Sequence, residues 1–401
     1  MKKYRLNNGL MLIYEKKPTK AAAIEILVKT GSNYESKKQF GISHFIEHMV
    51  FEGTKKRKNS RLISNEIEKL GGEINAYTTT DRTAFFIKIL NKHFDKALDV
   101  LSDMVQNSTF DSKFIEKERK VILKEIDMTN DQPRFFQWIL FQKNLFTKNN
   151  ARNPTYGTIA AVKNISRNDI LDYYAKYYAP NNIIISVVGN VKNLKEKVWQ
   201  KFKNFKPKKV PEYKKISELG NKPKRAVFRK NLNNSYMVLG YKTPPRLSRE
   251  SFVLDLILGV LGRGQSGRIF DEIRNKRGMA YEVGVNHEAS VDYGYFAIYL
   301  NTDIKNIQKA ADIILEEFSK LKKISEKDLN EAKTFIEGQF LMENEDNHQL
   351  ADKMAYWELI KDANFIKKYL SEIKKITGKD VAKVVGKYLN KNYTLAVIQQ
   401  E

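Results

Sequence analysis

Hydrophobic and polar positions alternate in short blocks along the whole chain, and they predict strands interleaved with amphipathic helices. Runs rich in β-branched and aromatic residues predict strands at 10–15, 22–29, 73–80, 83–90 and 182–188. Apolar residues at helical spacing predict helices at 62–70, 93–106, 111–129, 134–146, 166–178 and 252–261. This mixture predicts the α/β class in its α+β form.

A further predicted helix, within Gly41 to Gly53, carries two histidines and a glutamate on one face. Residues three and four apart are neighbours on a helix, so His44, Glu47 and His48 point the same way. Neutral imidazoles at this spacing can both reach one zinc ion at roughly 2.0–2.1 Å. Glu47 is better placed to accept a proton from a metal-bound water than to be the third ligand. The pattern therefore predicts metal-assisted hydrolysis.

The alternative interpretation is that these are two surface histidines on an ordinary amphipathic helix. The chain has only 5 histidines in 401 residues, and chance would give this five-residue pattern in on the order of one such sequence in a few hundred. We therefore favour the metal site.

A third ligand has to come from a separate helix, and the helix predicted at 111–129 offers two carboxylates. Glu118 and Glu125 are seven residues apart, so they share one face after two turns. Charges on a helix face usually serve solvation alone. Here the apolar residues from Val121 to Leu123 pack the helix inward, which favours a role for these glutamates in the site.

Lysine, proline and glycine accumulate between Lys203 and Lys224, which is typical of a linker. We therefore predict three parts of the chain: a zinc-binding catalytic domain at 1–205, a linker at 206–224, and a homologous domain without zinc at 225–401.

The second half of the chain repeats the pattern of the first half but lacks its metal site. Residues 166–187 align without gaps with 377–398, at an offset of 211 residues. At an offset of 213 residues Glu125 falls on Gly338, and the second half has no paired histidines. One domain is therefore expected to do the chemistry while its copy does something else.

Length and composition allow two folded domains and exclude several classes of protein. At 401 residues with 42% hydrophobic residues, the chain exceeds the size at which a single core stops growing. No segment approaches 18 uninterrupted apolar residues, and no signal peptide is recognised, so we predict no membrane association. Zero cysteines exclude disulfides and thiolate zinc sites and favour a cytoplasmic location.

The net charge of +24 comes from 71 basic against 47 acidic residues, and it raises the question of an anionic partner. The basic residues are mostly lysines, spread along the whole chain and interleaved with glutamates, and no nucleic-acid-binding motif accompanies them. We interpret the charge as a solvated lysine-rich surface and predict no nucleic-acid partner, with a real anionic partner as the alternative.

The motif HFIEH at 44–48, preceded by GIS and followed by MVFEGT, resembles the inverted zinc motif of the pitrilysin, insulin-degrading and mitochondrial processing peptidases. That family takes its third ligand from the second glutamate of a Glu-x6-Glu helix about 75 residues later, and Glu125 lies 77 residues after His48. The resemblance covers nearly the whole chain. It implies His44, His48 and Glu125 as ligands of one Zn²⁺ per chain, Glu47 as general base, and Glu118 as a supporting residue behind them.

The resemblance also implies substrate-binding residues in both halves. Asn75 and Ala76, in the context GGEINAYT, match the edge strand to which the family's substrates add as an extra strand. Arg274 and Tyr281 match the arginine and tyrosine that contact the substrate near the scissile bond, where negative charge develops on the carbonyl oxygen. Residues 149–154 depart from the family's pattern, so a loop near the site is expected to differ.

Together these features predict a zinc-dependent endopeptidase that hydrolyses peptides or unfolded polypeptide segments inside a closed chamber. We expect two homologous domains, each an antiparallel β-sheet packed with α-helices. Two domains make half of the family's four-domain chamber, and this chain carries both the zinc ligands and the arginine–tyrosine pair. We therefore predict a homodimer, with a heterodimer with a related chain as the alternative. The rival function is a catalytically silent structural or partner subunit of a peptidase-like complex.

Overall fold

The structure, a computed structural model, describes residues 1–400, which form two sheets and the helices packed on them. The strands are β1 (Lys2–Arg5), β2 (Met11–Lys16), β3 (Ala21–Val28), β4 (Glu73–Thr78), β5 (Thr83–Leu90), β6 (Ile183–Gly189), β7 (Lys224–Lys230), β8 (Ser235–Thr243), β9 (Ala280–Ala289), β10 (Gly294–Thr302) and β11 (Thr394–Gln400).

The helices are α1 (Ile42–Phe51), α2 (Ser60–Glu68), α3 (Phe94–Asn107), α4 (Ser112–Asp131), α5 (Pro133–Leu145), α6 (Ile159–Asn164), α7 (Arg167–Tyr177), α8 (Leu194–Phe202), α9 (Arg249–Leu261), α10 (Arg268–Phe270), α11 (Ile307–Leu321), α12 (Glu326–Glu343), α13 (Asn347–Ile360), α14 (Phe365–Lys374) and α15 (Gly378–Tyr388). A π-helical turn, Asp271–Asn275, continues α10. In the described part of the chain, no helix is both long and apolar enough to cross a membrane.

The first sheet has six strands in the order β1-β2-β6-β3-β5-β4. Neighbouring strands are antiparallel except β2 and β6, which run parallel with Met11 opposite Ile184. The predicted α+β class is confirmed, and the predicted antiparallel sheet is wrong only for this pair. The chain returns to β6 only after many intervening helices, and a parallel pair needs such a long connection rather than a hairpin. Strand β1 was not predicted, because its four residues are mostly polar.

One face of the first sheet packs on helices α1 and α3. Ile24 and Ile26 of β3 form one buried cluster with Phe45 and Ile46 of α1 and with Leu101 of α3. Each of these side chains is fully buried. Since burying a large apolar side chain stabilises a fold by about 1.5–3 kcal/mol, this contact fixes which face of α1 is turned away from the sheet.

The second sheet has five strands in the order β7-β11-β8-β10-β9. Its neighbouring strands are also antiparallel except one pair, β7 and β11, which run parallel with Ala226 opposite Ala396. The same mixed arrangement in both sheets corrects the antiparallel prediction for the second half as well.

The opposite face of each sheet is covered by a helix from the other half of the sequence. Helix α13 packs on β3 and β6, whereas helix α5 packs on β8 and β11. The first compact unit accordingly comprises Met1–Ile126, Pro154–Lys214 and Met342–Ile366. The second comprises Asp127–Asn153, Lys215–Leu341 and the residues from Lys367 onward.

The two compact units thus interleave along the chain, whereas the predicted parts at 1–205, 206–224 and 225–401 are contiguous. The reason is that apolar faces pair in space, and nothing in the sequence of α5 or α13 states which sheet each helix will cover. Residues 206–223 form neither helix nor strand.

The duplication predicted from the sequence is present in the structure at the same offset. Helix α7 and strand β6, moved by 211 residues, coincide with helix α15 and strand β11. Both helices begin with a capping box, formed by Ser166 with Asp169 and by Thr377 with Asp380. In each box a hydroxyl and a carboxylate satisfy backbone groups that the first helical turn leaves free.

Candidate metal centre and active site

Helix α1 presents the predicted polar face. Its apolar residues are buried on the sheet side, while His44, Glu47 and His48 are half-buried on the other side. Gly41 directly precedes the helix. Its φ of 96° is left-handed, and a Cβ there would lie 2.5 Å from the carbonyl oxygen of Tyr156. Glycine is therefore required where the chain turns into this helix.

The start of α1 is capped by a buried carboxylate from the preceding loop, because the N-cap residue is a glycine and has no side chain. Glu35 accepts hydrogen bonds from the backbone N–H groups of Gly41 at 2.8 Å and Ser43 at 2.9 Å. Both donors belong to the first turn, whose N–H groups have no partner within the helix. Burial raises the pKa of Glu35 to about 7, although these two hydrogen bonds act in the opposite direction. Glu35 thereby holds the start of the helix that carries the histidines.

Helix α4 brings the third donor group to the histidines. Ile115, Ile122 and Ile126 bury one side of the helix, and Glu118 is buried beside them. Two turns further on, Glu125 is half-buried, with Oε2 3.5 Å from Nε2 of His48 and 3.9 Å from Nε2 of His44. The structure thus brings together the two histidines and the glutamate that lies 77 residues after His48.

The donor set fits a zinc ion. One nitrogen of His44, one nitrogen of His48 and one oxygen of Glu125 all lie within 4.8 Å of one another. Ligands at about 2.1 Å in tetrahedral geometry are about 3.4 Å apart, so separations of 3.5 and 3.9 Å need little adjustment. Two histidines and one glutamate form an established catalytic zinc set that keeps a fourth position open.

The two histidines have different electrostatic surroundings. Burial lowers the pKa of His44 to about 4, so this imidazole is neutral and has a lone pair for a metal. Burial acts in the same direction on His48, but hydrogen bonds to Glu118 and Glu125 outweigh it and raise the pKa of His48 to about 9. The glutamates around His48 thus favour a positive charge at this position, and a bound cation would supply it.

Glu118 contacts the far side of His48. Its Oε2 lies 3.0 Å from Nδ1 of His48, and its Oε1 lies 3.2 Å from Nζ of Lys117. With Nδ1–H donating to Glu118, Nε2 of His48 is left as the atom that faces Glu125. The hydrogen bonds to His48 and Lys117 hold the pKa of Glu118 below its usual value even though burial acts against this.

Glu47 is held by a residue that the sequence pattern did not single out. The hydroxyl of Thr78, at the end of β4, donates to Oε2 of Glu47 at 2.5 Å. Burial raises the pKa of Glu47, and the Thr78 hydrogen bond only partly offsets this. The one available signal was the position of Thr78 at the end of the strand GGEINAYT, beside the predicted substrate edge.

Strand β4 forms one edge of the first sheet, because among the described strands it pairs with β5 alone. Asn75 is exposed and Ala76 is half-buried on this edge, and the Asn75 side chain accepts the Ala76 N–H at 2.8 Å. On the same strand, Tyr77 donates to Asp352 of α13 and accepts from Arg82. The strand is therefore fixed by its side chains while its outer backbone edge stays open.

Arg274 and Tyr281 belong to the second compact unit and lie against each other there. The guanidinium carbon of Arg274 is 4.8 Å from the ring centre of Tyr281 and 4.9 Å from that of Phe270. Tyr281 has 74% of its surface exposed. The structure thus gathers the predicted pair into one exposed cation–π contact at the beginning of β9.

The second unit has no counterpart of the metal site among the described residues. Glu331, which corresponds to Glu118, forms an ion pair with Arg263 at 2.6 Å. Gly338 stands where the first unit has Glu125. His44, His48 and Glu125 are the only described residues that form a three-donor group.

Comparison with known proteins identifies the family. Residues 10–159 match the family described as insulinase (peptidase family M16), and residues 164–336 match the peptidase M16 inactive domain. An uncharacterized zinc protease from Rickettsia bellii is 30% identical over 98% of this chain and 96% of its own length. This chain belongs to the M16 peptidase family.

Other relatives agree with this membership. The uncharacterized zinc protease YmxG of Bacillus subtilis is 29% identical over 99% of this chain and 98% of its own length. The mitochondrial-processing peptidase subunit beta of Dictyostelium discoideum is 30% identical over 65% of this chain and 57% of its own length. A protease from Helicobacter pylori has the same fold, with a TM-score of 0.93, 23% identity and 99% of both chains covered. The M16 inactive domain matches residues 164–336, which do not include the donor group.

Proposed function

We propose that this M16 chain is a zinc-dependent endopeptidase in which His44, His48 and Glu125 bind one Zn²⁺. The observation that carries the proposal is the three-donor group with Glu47 on the same helical face. The proposal is supported by relatives that match nearly the full length of this chain and are named zinc proteases.

A zinc ion held there would act as a Lewis acid and lower the pKa of a coordinated water to about 7. Glu47 accepts the proton of the attacking water and passes it to the leaving amine. Because Oε2 of Glu47 accepts from Thr78, Oε1 is the oxygen left for this transfer. Glu118 acts as a positioning residue, because it contacts Nδ1 of His48 while the other ring nitrogen, Nε2, faces Glu125.

The substrate is proposed to extend the first sheet at β4. An extended peptide can pair with the open edge around Asn75 and Ala76, where backbone hydrogen bonds provide affinity with little dependence on sequence. For this the Ala76 N–H would exchange its bond to the Asn75 side chain for one to the substrate. Arg274 and Tyr281 are proposed to donate to the carbonyl oxygen on which negative charge develops.

The first test is the variant Glu47→Gln, which keeps the shape of the side chain but cannot accept a proton. We expect zinc content, measured by mass spectrometry, to stay at one ion per chain, while cleavage of a peptide library falls roughly 10²–10⁴-fold. The exposed Glu68→Gln is the matched control and should change neither quantity.

Two results of this test would count against the proposal. A Glu47→Gln chain that retains more than about a tenth of the wild-type rate would exclude its role as base. A wild-type chain that binds zinc at these donors and cleaves nothing would favour the silent subunit instead.

We further propose that two identical chains form the closed chamber, with Arg274 and Tyr281 of one chain completing the zinc site of the other. Mixed dimers of Glu47→Gln and Arg274→Ala chains would then contain one intact composite site. Mixing the two inactive variants should restore part of the activity. No recovery despite proven subunit exchange would mean that one chain completes its own site, or that another protein is the partner.

A further inference from the structure

The internal duplication reveals an open position in the second sheet. In the first sheet, β1 pairs antiparallel with the outer edge of β2, with Lys2 opposite Tyr14. Strand β11 of the second sheet corresponds to β6 of the first sheet, because the two match at an offset of 211 residues. Strand β7 runs parallel to β11 as β2 runs parallel to β6, so β7 takes the place of β2. Within residues 1–400 the second sheet has no strand equivalent to β1, so β7 forms its edge.

The outer edge of β7 is accessible. Five of its seven residues are exposed, whereas Leu12, Ile13 and Tyr14 of β2, which lie opposite β1, are buried. The exposed residues include two large apolar ones, Val227 at 46% and Phe228 at 43%. An edge strand of this kind presents a row of unpaired backbone N–H and C=O groups to an incoming strand.

The charge on this edge has one sign. The sequence of β7, KRAVFRK, contains four basic residues and no acidic one. Lys224 and Lys230 donate to the backbone carbonyls of Asn144 and Asn130. The side chains of Arg225 and Arg229 make no hydrogen bond or ion pair with any described residue.

Arg225 and Arg229 alternate with Val227, and residues two apart share one face of a strand. That face therefore presents a positive, an apolar and a positive side chain in turn, and neither positive charge is paired with a described acidic residue. An incoming strand of matching chemistry would present acidic, apolar and acidic residues at the same spacing.

Two alternative roles fit this edge less well. Basic residues often protect an edge strand against unwanted pairing, but protection does not call for the exposed Val227 and Phe228 between them. A second copy of β7 pairing antiparallel about Val227 would place Arg225 opposite Arg229 twice. Like charges directly opposite each other destabilise such a pair.

We propose that the outer edge of β7 binds an acidic, extended segment of a partner protein by β-augmentation. The segment runs antiparallel to β7, as β1 runs against β2. It places acidic residues opposite Arg225 and Arg229 and an apolar residue opposite Val227. This surface lies in the second compact unit, in a different sheet from the β4 edge, and its occupation requires neither zinc nor turnover.

The proposal defines a probe peptide, fluorescein-labelled Glu-Glu-Tyr-Val-Thr-Glu-Glu, whose central valine lies opposite Val227. Binding is measured by fluorescence anisotropy with the full chain carrying Glu47→Gln, so that cleavage cannot remove the probe. We expect saturable binding that Arg225→Glu with Arg229→Glu weakens about tenfold or more. The matched control reverses two exposed lysines of the same unit, Lys322→Glu with Lys379→Glu, and should leave binding unchanged.

Peptide controls separate strand pairing from simple charge attraction. A peptide with lysine in place of each glutamate should not bind. Two further versions of the acidic probe test backbone pairing: one is N-methylated at its odd-numbered residues and the other at its even-numbered residues. At least one of them should lose binding, because N-methylation removes the N–H groups that pair with β7.

Three outcomes would overturn the proposal. They are no saturable binding of the acidic probe, equal binding of the lysine peptide, or unchanged binding of both N-methylated versions. Phosphatidylserine vesicles and a DNA duplex are tested in parallel. If one of them binds through Arg225 and Arg229 while the probe does not, the partner of this edge is a lipid surface or a nucleic acid and not a peptide.

Discussion

The different roles proposed for Glu118 and Glu125 can be separated by one substitution each. Glu118→Gln and Glu125→Gln both remove a negative charge from the same helix and keep the shape of the side chain. Glu118 lies behind His48 at Nδ1, whereas Glu125 lies within 3.9 Å of both Nε2 atoms. Only the loss of Glu125 removes one of the three proposed ligands.

The expected magnitudes follow from these contacts. Glu118→Gln replaces a charge-assisted hydrogen bond of about 1.5–3 kcal/mol by a neutral one of about 0.5–1.5 kcal/mol. A difference of about 1–2 kcal/mol corresponds to zinc binding that is weaker by about 5–30-fold. Loss of a direct ligand costs more, so we expect Glu125→Gln to weaken binding by more than 10²-fold, beyond the range of residues behind a ligand.

The measurement is a competition titration against a colorimetric zinc chelator at constant pH, with thermal unfolding as a check that each variant is folded. Glu116→Gln is the matched control on the same helix, because Glu116 is exposed and its ion-pair partner among the described residues is Arg119. Equal weakening by Glu118→Gln and Glu125→Gln would leave the third ligand undecided. Stronger weakening by Glu118→Gln would refute the ligand set.

Three further predictions concern the surroundings of the site. Thr78→Val removes the hydrogen bond that orients Glu47, so kcat should fall roughly tenfold while zinc affinity stays unchanged. Thr78→Ser keeps the hydroxyl and should keep the wild-type kcat, and an unaffected kcat in Thr78→Val would exclude this positioning role. Saturating zinc should raise the unfolding temperature of the wild type by mass action but not that of His44→Ala, and an equal rise in both would place the ion elsewhere. Gly41→Ala should lower the free energy of unfolding by at least about 1 kcal/mol more than Gly220→Ala does. Both glycines have a left-handed φ, but a Cβ at Gly41 would meet a backbone oxygen, whereas a Cβ at Gly220 would meet no atom within 4 Å. Equal losses in the free energy of unfolding would contradict this.

The local periodicities of the sequence anticipated much of the site. A period of 3.6 residues placed His44, Glu47 and His48 on one face, and the structure shows them there. The same period placed Glu118 and Glu125 on a common face of α4. Helical spacing is a local property that tertiary contacts do not alter, which is why these predictions held.

Some residues of the site could not be found in this way. Thr78 reaches Glu47 from a strand, and Glu35 caps α1 from the loop before it. Neither residue belongs to a periodic pattern with the histidines. Their contributions depend on distances set by the packing of α1 on the sheet.

The sequence by itself determined many of the helices and strands of the first half, where the duplication lies, and which residues could bind a metal. Only the tertiary structure decided that α5 and α13 each cover a sheet of the other half, that one strand pair in each sheet is parallel, and that β7 is left as an open edge. The physical reason is that helix and strand periods are encoded over a few residues. The pairing of apolar faces and strand edges depends instead on which surfaces meet after the chain has collapsed, and no single segment states that choice.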